Sequence, residues 1–204
     1  MFTNTDLINY LAHAYLSFNY PEILVGNLIS DYVKGKKQYD YPAGIHKGIV
    51  LHRAIDNFTD THSATKRAKE VYRPYYRLYS GAFIDVLYDH FLAVDPTEFS
   101  DESLLSFSTN VYNTIDKYST FLPGEFAAMF PYMKLQNWLY NYRTNWGTEK
   151  SLGGVVRRSA YLTESDTAFS LFEQHYQLLQ DCYRQFWADV KPFAREQVDQ
   201  LLNN

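Results

Sequence analysis

The chain has 204 residues, room for one domain with a substantial core. Its 46% apolar and 21% charged residues are ordinary for a soluble globular protein, and its net charge of −4 argues against a dedicated nucleic-acid binder. The one cysteine, Cys182, excludes an internal disulfide framework and a cysteine-rich zinc site, and with no apolar run near the ~20 residues of a membrane span, no membrane partner is expected. The first residues lack the basic and apolar regions of a secretory signal, so the expected location is the cytoplasm. The 19 Tyr and 14 Phe predict thick helix contacts with polar tips at the rim, or a partner groove.

The periodicity predicts helices almost throughout, an all-α fold. Thr5 or Asp6 caps a first helix to about Phe18, with Leu7, Ile8, Leu11 and Tyr15 on its apolar face. Asn19-Tyr20-Pro21 is a break. A second helix runs from Glu22 to Lys34 and closes at Gly35. After a polar loop, Pro42 opens a long central helix to about His62. Ser63 caps a basic segment holding Lys66, Arg67, Lys69, Arg73 and Arg77, which Pro74 kinks. Gly81 to Val94 is an apolar helix, ended by Asp95-Pro96. Further helices are expected from Ser100 or Asp101 to Tyr118 and from Glu125 to Tyr142, the latter closed by Gly147. Gly153-Gly154 marks a joint. A C-terminal helix runs from Ser165 or Asp166 to about Asp189, with a helical tail beyond Pro192. Strand signals, internal repeats and a convincing linker are lacking, which predicts one domain: site-bearing helices over about 5–94 and packing or partner helices over about 100–204.

Four of these helices repeat one device, two polar residues four apart in an apolar setting: Asn9/His13, Asn27/Asp31, His52/Asp56 extended to Asp60, and Asp85/Asp89 with His90 beside it. Residues four apart share a helix face. Carboxylates buried there cost several kcal/mol unless paired or metal-bound. Helix bundles build metal sites from such facing positions. Two readings stand: a divalent-metal site, or a buried ion-pair network involving Arg53. Imidazole plus carboxylate without thiolate suits Mn²⁺, Fe²⁺, Mg²⁺ or Zn²⁺. Arg53 can grip a phosphate or pair with Asp56 or Asp31. No phosphate-cradle motif and no Gly-x-Ser-x-Gly elbow occurs. Cys182, with His175 seven residues earlier, is by default a buried structural thiol. Lys34, Lys36, Lys37 and Lys47 before the central helix, Lys66, Arg67 and Lys69 after it, and Arg157-Arg158 are solvated faces or a cluster that steers an acidic partner.

Asn-Tyr-Leu-Ala-His (9–13), Gly-Asn-Leu-Ile-Ser-Asp-Tyr-Val-Lys-Gly (26–35), Gly-Ile-Val-Leu-His-Arg-Ala-Ile-Asp-Asn-Phe-Thr-Asp (48–60) and Asp-Val-Leu-Tyr-Asp-His-Phe-Leu (85–92) resemble, in order and spacing, the acyl carrier protein phosphodiesterases. The likeness is dense over about 9–92 and thins afterwards to Asn137-Trp-Leu-Tyr-Asn-Tyr142. It implies hydrolysis of the phosphodiester joining 4′-phosphopantetheine to a serine of holo-acyl carrier protein. It also implies a divalent metal, usually Mn²⁺, an acidic carrier protein as partner, and a bundle like that of the HD phosphohydrolases. The implied metal ligands are His52, Asp56, Asp89 and His90, with His13 and Asp31 next. Arg53 is implied to neutralise charge on the phosphate, and His90 or Asp60 to protonate the leaving serine. Tyr15 stands where a second histidine is expected, and the Asp89-His90 order reverses the His-Asp doublet of the HD relatives. A helical phosphohydrolase acting on a small nucleotide, or a non-catalytic aromatic-rich binding module, are the competing readings.

Overall fold

A computed structural model describes residues 9–203, so the expected cap at Thr5 or Asp6 lies outside the described residues. Among these the fold is all-α, with no strand. The helices are α1 (Tyr10–Tyr15), α2 (Pro21–Ile29), α3 (Ala43–Thr61), α4 (Ser63–Tyr76), α5 (Ser80–Ala93), α6 (Asp101–Lys117), α7 (Gly124–Leu135), α8 (Trp138–Asn141), α9 (Asn145–Arg158), α10 (Asp166–Gln174) and α11 (Tyr176–Asn203). No helix is long and apolar enough to cross a membrane, among the described residues.

The core is built around α5, whose residues are nearly all buried. Its apolar side chains face every direction, as expected for a helix wrapped by others. α1, α4, α9 and α11 pack around it, and α2 lies along α3. Buried residues from Tyr10 in α1 to Val198 in α11 belong to one hydrophobic cluster. Each fully buried Leu, Ile or Phe there contributes about 1.5–3 kcal/mol of transfer free energy.

The α2–α3 crossing sets up everything that follows. Gly26 and Gly48 face each other across it. A Cβ on Gly26 would stand 1.9 Å from the Ile45 carbonyl oxygen, and one on Gly48 2.2 Å from that of Ile23. Only glycine lets the two backbones approach so closely. One residue beyond Gly26 is Asn27, and one turn beyond Gly48 is His52.

Several boundaries differ from the sequence expectation. α2 stops at Ile29, and Asp31 sits in a 3-10 turn, Ser30–Tyr32; Gly35 opens a second one, Gly35–Asp40, instead of closing the helix. His62, not Ser63, caps α4: its Nδ1 accepts the Ala64 N–H at 3.2 Å. The expected helix from Glu125 to Tyr142 is two, because Asn137 takes a left-handed φ of 46° between α7 and α8. Gly147 and Gly153-Gly154 lie inside α9 and stop nothing. The C-terminal helix is broken at His175 and then runs through Pro192. Val190, Ala194 and Val198 keep one buried face across that proline, and tertiary packing carries the helix past the lost hydrogen bond.

Candidate metal centre

The α2–α3 crossing and the end of α1 bring three groups together. His13 from α1, and His52 and Asp56 from α3, offer ligand atoms that all lie within 4.8 Å of one another. His13 Nε2 is 3.2 Å from Asp56 Oδ1, and His52 Nε2 is 3.0 Å from Asp56 Oδ2. Asp31 adds an oxygen 3.1 Å from His52 Nε2. The two imidazoles stack at 4.1 Å with planes 21° apart. Their side chains are only 3% and 5% exposed, whereas that of Asp56 is 47% exposed. The group therefore has a buried floor of nitrogens and one carboxylate wall open to solvent.

Asn27 determines which ring nitrogens are available. It is fully buried. Its amide nitrogen donates to the His13 carbonyl at 2.8 Å and to Ser17 Oγ at 3.0 Å. That fixes its Oδ1 as an acceptor, 2.6 Å from His13 Nδ1, so Nδ1 carries a proton and donates. The Asn27 backbone carbonyl accepts from His52 Nδ1 at 2.7 Å. One residue of α2 thus holds the Nδ1 protons of both histidines and leaves both Nε2 atoms aimed at Asp56. Neutral rings in this tautomer would point lone pairs at carboxylate oxygens, which needs a cation between them or extra protons on the rings. His13 Nε2 is buried and, despite its distance from Asp56, has no hydrogen-bond partner of good geometry. Two Nε2 donors with Nδ1 tied to carbonyl oxygens, plus a carboxylate, form the donor set and outer hydrogen bonds of a divalent-metal site. The residues fit such an ion.

The electrostatics agree. Burial opposes charge on His52, but the hydrogen bonds to Asp31 and Asp56 outweigh it and raise its pKa to about 10. Burial also pulls Asp56 upward, yet the two imidazoles facing its oxygens hold it well below the usual carboxylate range. Without metal, His52 is a cation at neutral pH. Its folded pKa exceeds its unfolded one, so this contribution to stability is complete below about pH 6.5 and is lost as pH rises through about 10. A metal must displace that proton. The rise in melting temperature caused by Mn²⁺ is therefore expected to grow between pH 6 and pH 8.5. Differential scanning fluorimetry at fixed Mn²⁺ checks this, and a shift that shrinks over that interval contradicts it.

Asp89 and His90 are not brought to this group. Asp89 is fully buried, and its two oxygens accept the Leu11 and Ala12 backbone N–H groups at 2.9 and 2.8 Å. It caps α1, a task the side chain of Asn9 leaves undone. Burial raises its pKa to about 8, against the pull of those two amides and the Tyr142 side chain. Its service to the site is to hold the helix that carries His13. His90 lies about 100° further round α5. Its Nδ1 is 2.8 Å from the Tyr142 carbonyl oxygen and 3.0 Å from Thr148 Oγ1, with Phe172 and Tyr176 against the ring. Asp89→Asn is expected to lower stability by about 1–3 kcal/mol through the weakened cap while keeping metal binding within about tenfold of the parent. Complete loss of Mn²⁺ binding in a folded Asp89→Asn protein would make Asp89 a ligand.

The other candidates are also accounted for. Arg53 donates to Gln38 Oε1 at 2.6 Å and to the Val33 carbonyl at 3.2 Å, pinning the 3-10 segment that follows Asp31. Neither Asp56 nor Asp31 is its partner. Asp60 is exposed and paired with Lys69 at 2.7 Å. Tyr15 leaves the site altogether: its hydroxyl donates to Glu98 at 2.5 Å, and Lys191 and Trp187 meet the same carboxylate. Arg67 donates to buried Cys182 Sγ at 3.1 Å. Lys36 and Lys37 remain exposed beside the site-bearing segment. The sequence reading grouped Asn27 with Asp31 but did not single it out as the residue orienting both histidines. Ser17, which fixes the Asn27 amide, carried no signal. Asp85, half-buried on α5, has its pKa raised by burial first and by the negative charge of Asp56 next.

The family model described as acyl carrier protein phosphodiesterase matches residues 8–190. A Yersinia pestis protein named acyl carrier protein phosphodiesterase is 33% identical over 181 residues, 88% of this chain and 94% of the relative. A Klebsiella pneumoniae protein of the same name is 33% identical over 188 residues, 92% of this chain and 97% of the relative. One from Photorhabdus laumondii is 29% identical over 197 residues, 94% and 96% of the two chains. No solved structure matches significantly, so the kinship with HD phosphohydrolases has no solved counterpart to rest on.

Proposed function

Since the chain belongs to the acyl carrier protein phosphodiesterase family, we propose that it hydrolyses the 4′-phosphopantetheine–serine phosphodiester of holo-acyl carrier protein to give the apo-protein. The observation that carries this reading is the His13–His52–Asp56 group with both Nδ1 protons held by Asn27. We take the whole chain as one cytoplasmic domain, with one hydrophobic cluster running through both halves.

His13, His52 and Asp56 would hold a divalent ion, Mn²⁺ in this proposal, with Asp31 beside it. Such an ion supplies a water of lowered pKa and a positive charge for the phosphoryl oxygens. The protein does the rest. Asn27 holds a proton on each Nδ1, so that each Nε2 is the atom an ion would take. Asp56, half in solvent, faces the side from which a carrier protein approaches. Asp31 shares His52 with Asp56 and helps fix its ring. Arg53 sets the Asp31–Asp40 segment instead of gripping the phosphate directly. The serine oxygen leaves as an alkoxide and needs a proton. His90 is engaged elsewhere, which favours the carboxyls along α3 and α5, Asp60 and Asp85. Burial raises the Asp85 pKa, which suits it to supply a proton. The exposed lysines near the site, Lys36 and Lys37, would attract an acidic carrier.

The test is intact-protein mass spectrometry of holo-acyl carrier protein incubated with the chain and Mn²⁺. The carrier is expected to lose the mass of the phosphopantetheine group, and chelation is expected to stop the loss. An unchanged carrier mass with Mn²⁺, Mg²⁺, Fe²⁺ and Zn²⁺ would overturn the proposal.

A further inference from the structure

A cavity of about 420 Å³ opens between α8 and α9, with Val86 of α5 at its floor. It is too large for packing noise and falls in the range of small-molecule sites. Nothing in the metal centre accounts for it. Trp138 and Trp146 supply flat apolar walls, while Asn141 and Ser151 supply amide and hydroxyl groups. Lys150, Arg157 and Arg158 add three cations to the lining.

Two features tie the cavity to the metal centre. Val86 follows Asp85 on α5, so the cavity and that carboxyl occupy adjacent faces of one helix. Tyr142 lines the cavity and its side chain hydrogen-bonds Asp89, the residue that caps the helix carrying His13. Arg158 lies close enough to Tyr10 and Tyr142 that its charge favours their ionised forms against their burial. Tyr10 in turn meets the hydroxyl of Tyr32, next in sequence to Asp31, at 3.0 Å. Arg158, Tyr142, Tyr10 and Tyr32 thus form a series of neighbours from the cavity toward Asp31.

We propose that this cavity receives the pantetheine arm of the substrate, an uncharged chain of two amides and a terminal thiol, with Arg158 at the end where the arm becomes a phosphate. The chemistry matches along the length. Indole faces cover methylene and methyl groups. Asn141 and Ser151 can exchange hydrogen bonds with amides, and a guanidinium suits the anionic end. A purely apolar occupant would strand the polar and cationic groups. The inference rests on the proposed reaction, and its test uses a probe that does not depend on hydrolysis.

That probe is pantetheine itself, without phosphate. Added to the metal-loaded chain, it is expected to shift the emission of Trp138 and Trp146 saturably and to inhibit cleavage of holo-carrier competitively. Ser151→Phe, which fills the cavity, is expected to abolish the emission shift and raise KM for holo-carrier at least tenfold. Trp146→Ala, at a residue 54% exposed and so tolerant of truncation, is expected to raise KM in the same direction if the filled variant does not fold. Leu78→Ser, at a position 90% exposed on the α4–α5 connection, is the control. The assignment is overturned if pantetheine leaves emission unchanged, or competes equally well against Ser151→Phe, while the parent still cleaves holo-carrier. A parent that binds pantetheine but cleaves no holo-carrier overturns the proposed reaction and leaves the cavity assignment standing.

Discussion

Asp56→Ala is expected to abolish metal binding and to reduce hydrolysis of holo-carrier by more than about 10³-fold, with the fold intact. Asp56 is the one carboxylate that touches both Nε2 atoms of the buried pair. Removing it leaves two neutral nitrogens and an Asp31 oxygen, too few donors for a hard divalent ion. Its side chain is 47% exposed, so solvent screens part of its pairing with the histidines, and Asp31 still holds His52; the metal-free protein loses some stability but stays folded. Metal dependence and stability should therefore separate. In the parent, Mn²⁺ at ~100 times its Kd adds about 2.7 kcal/mol to unfolding. In Asp56→Ala that increment should vanish, while the metal-free melting temperature falls modestly through the lost pairing with His52. A variant that retains the Mn²⁺-induced shift and its activity would move the site elsewhere.

Asn27→Leu should do the reverse, damaging both stability and metal affinity. The side chains have similar volumes, so no large cavity forms. The loss is of hydrogen bonds: His13 Nδ1, the His13 carbonyl and Ser17 Oγ all lose a partner in a fully buried place. Each stranded group costs about 1–3 kcal/mol, and roughly 3–5 kcal/mol in total is expected because Ser17 keeps its bond to the His13 carbonyl. The His52 partner is the backbone carbonyl of residue 27, which leucine retains. Only the His13 ring is released, and Mn²⁺ affinity should fall about 10–100-fold. Urea titration reads the first effect and calorimetry the second. Unchanged affinity in a destabilised variant would show that Asn27 packs the core without orienting the ligands.

Helical spacing made half of this site legible. His52 and Asp56 lie one turn apart, and in the structure they do meet. Asp31, predicted on a helix, reaches His52 from a 3-10 turn. Spacing reports which residues share a face of one helix, not which neighbour that face meets. That is why Asp85, Asp89 and His90 look like one cluster in sequence but lie in three environments: a half-buried face of α5, the start of α1, and the contact with α9 and α10. The same blindness hid Asn27, whose function depends on a crossing that Gly26 and Gly48 permit. Boundaries failed where glycine or proline was read only as a stop. Gly147, Gly153 and Gly154 ride inside α9, and Pro192 inside α11, because buried faces on both sides hold those helices together. Conversely, Asn137 breaks a helix from a left-handed conformation that composition does not announce. Spacing marks His13 only as a partner of Asn9, and the resemblance ranks it behind Asp89 and His90, yet His13 is the residue that meets His52 and Asp56.

The most direct measurement of the central claim is calorimetric titration of Mn²⁺ into the metal-free chain at pH 7.5, repeated in buffers of different ionisation enthalpy. A triad whose His52 is protonated without metal, and whose Nδ1 atoms are fixed by Asn27, predicts saturable binding with release of about one proton, absent in Asp56→Ala. Binding that releases no proton, or that survives in Asp56→Ala, would contradict it.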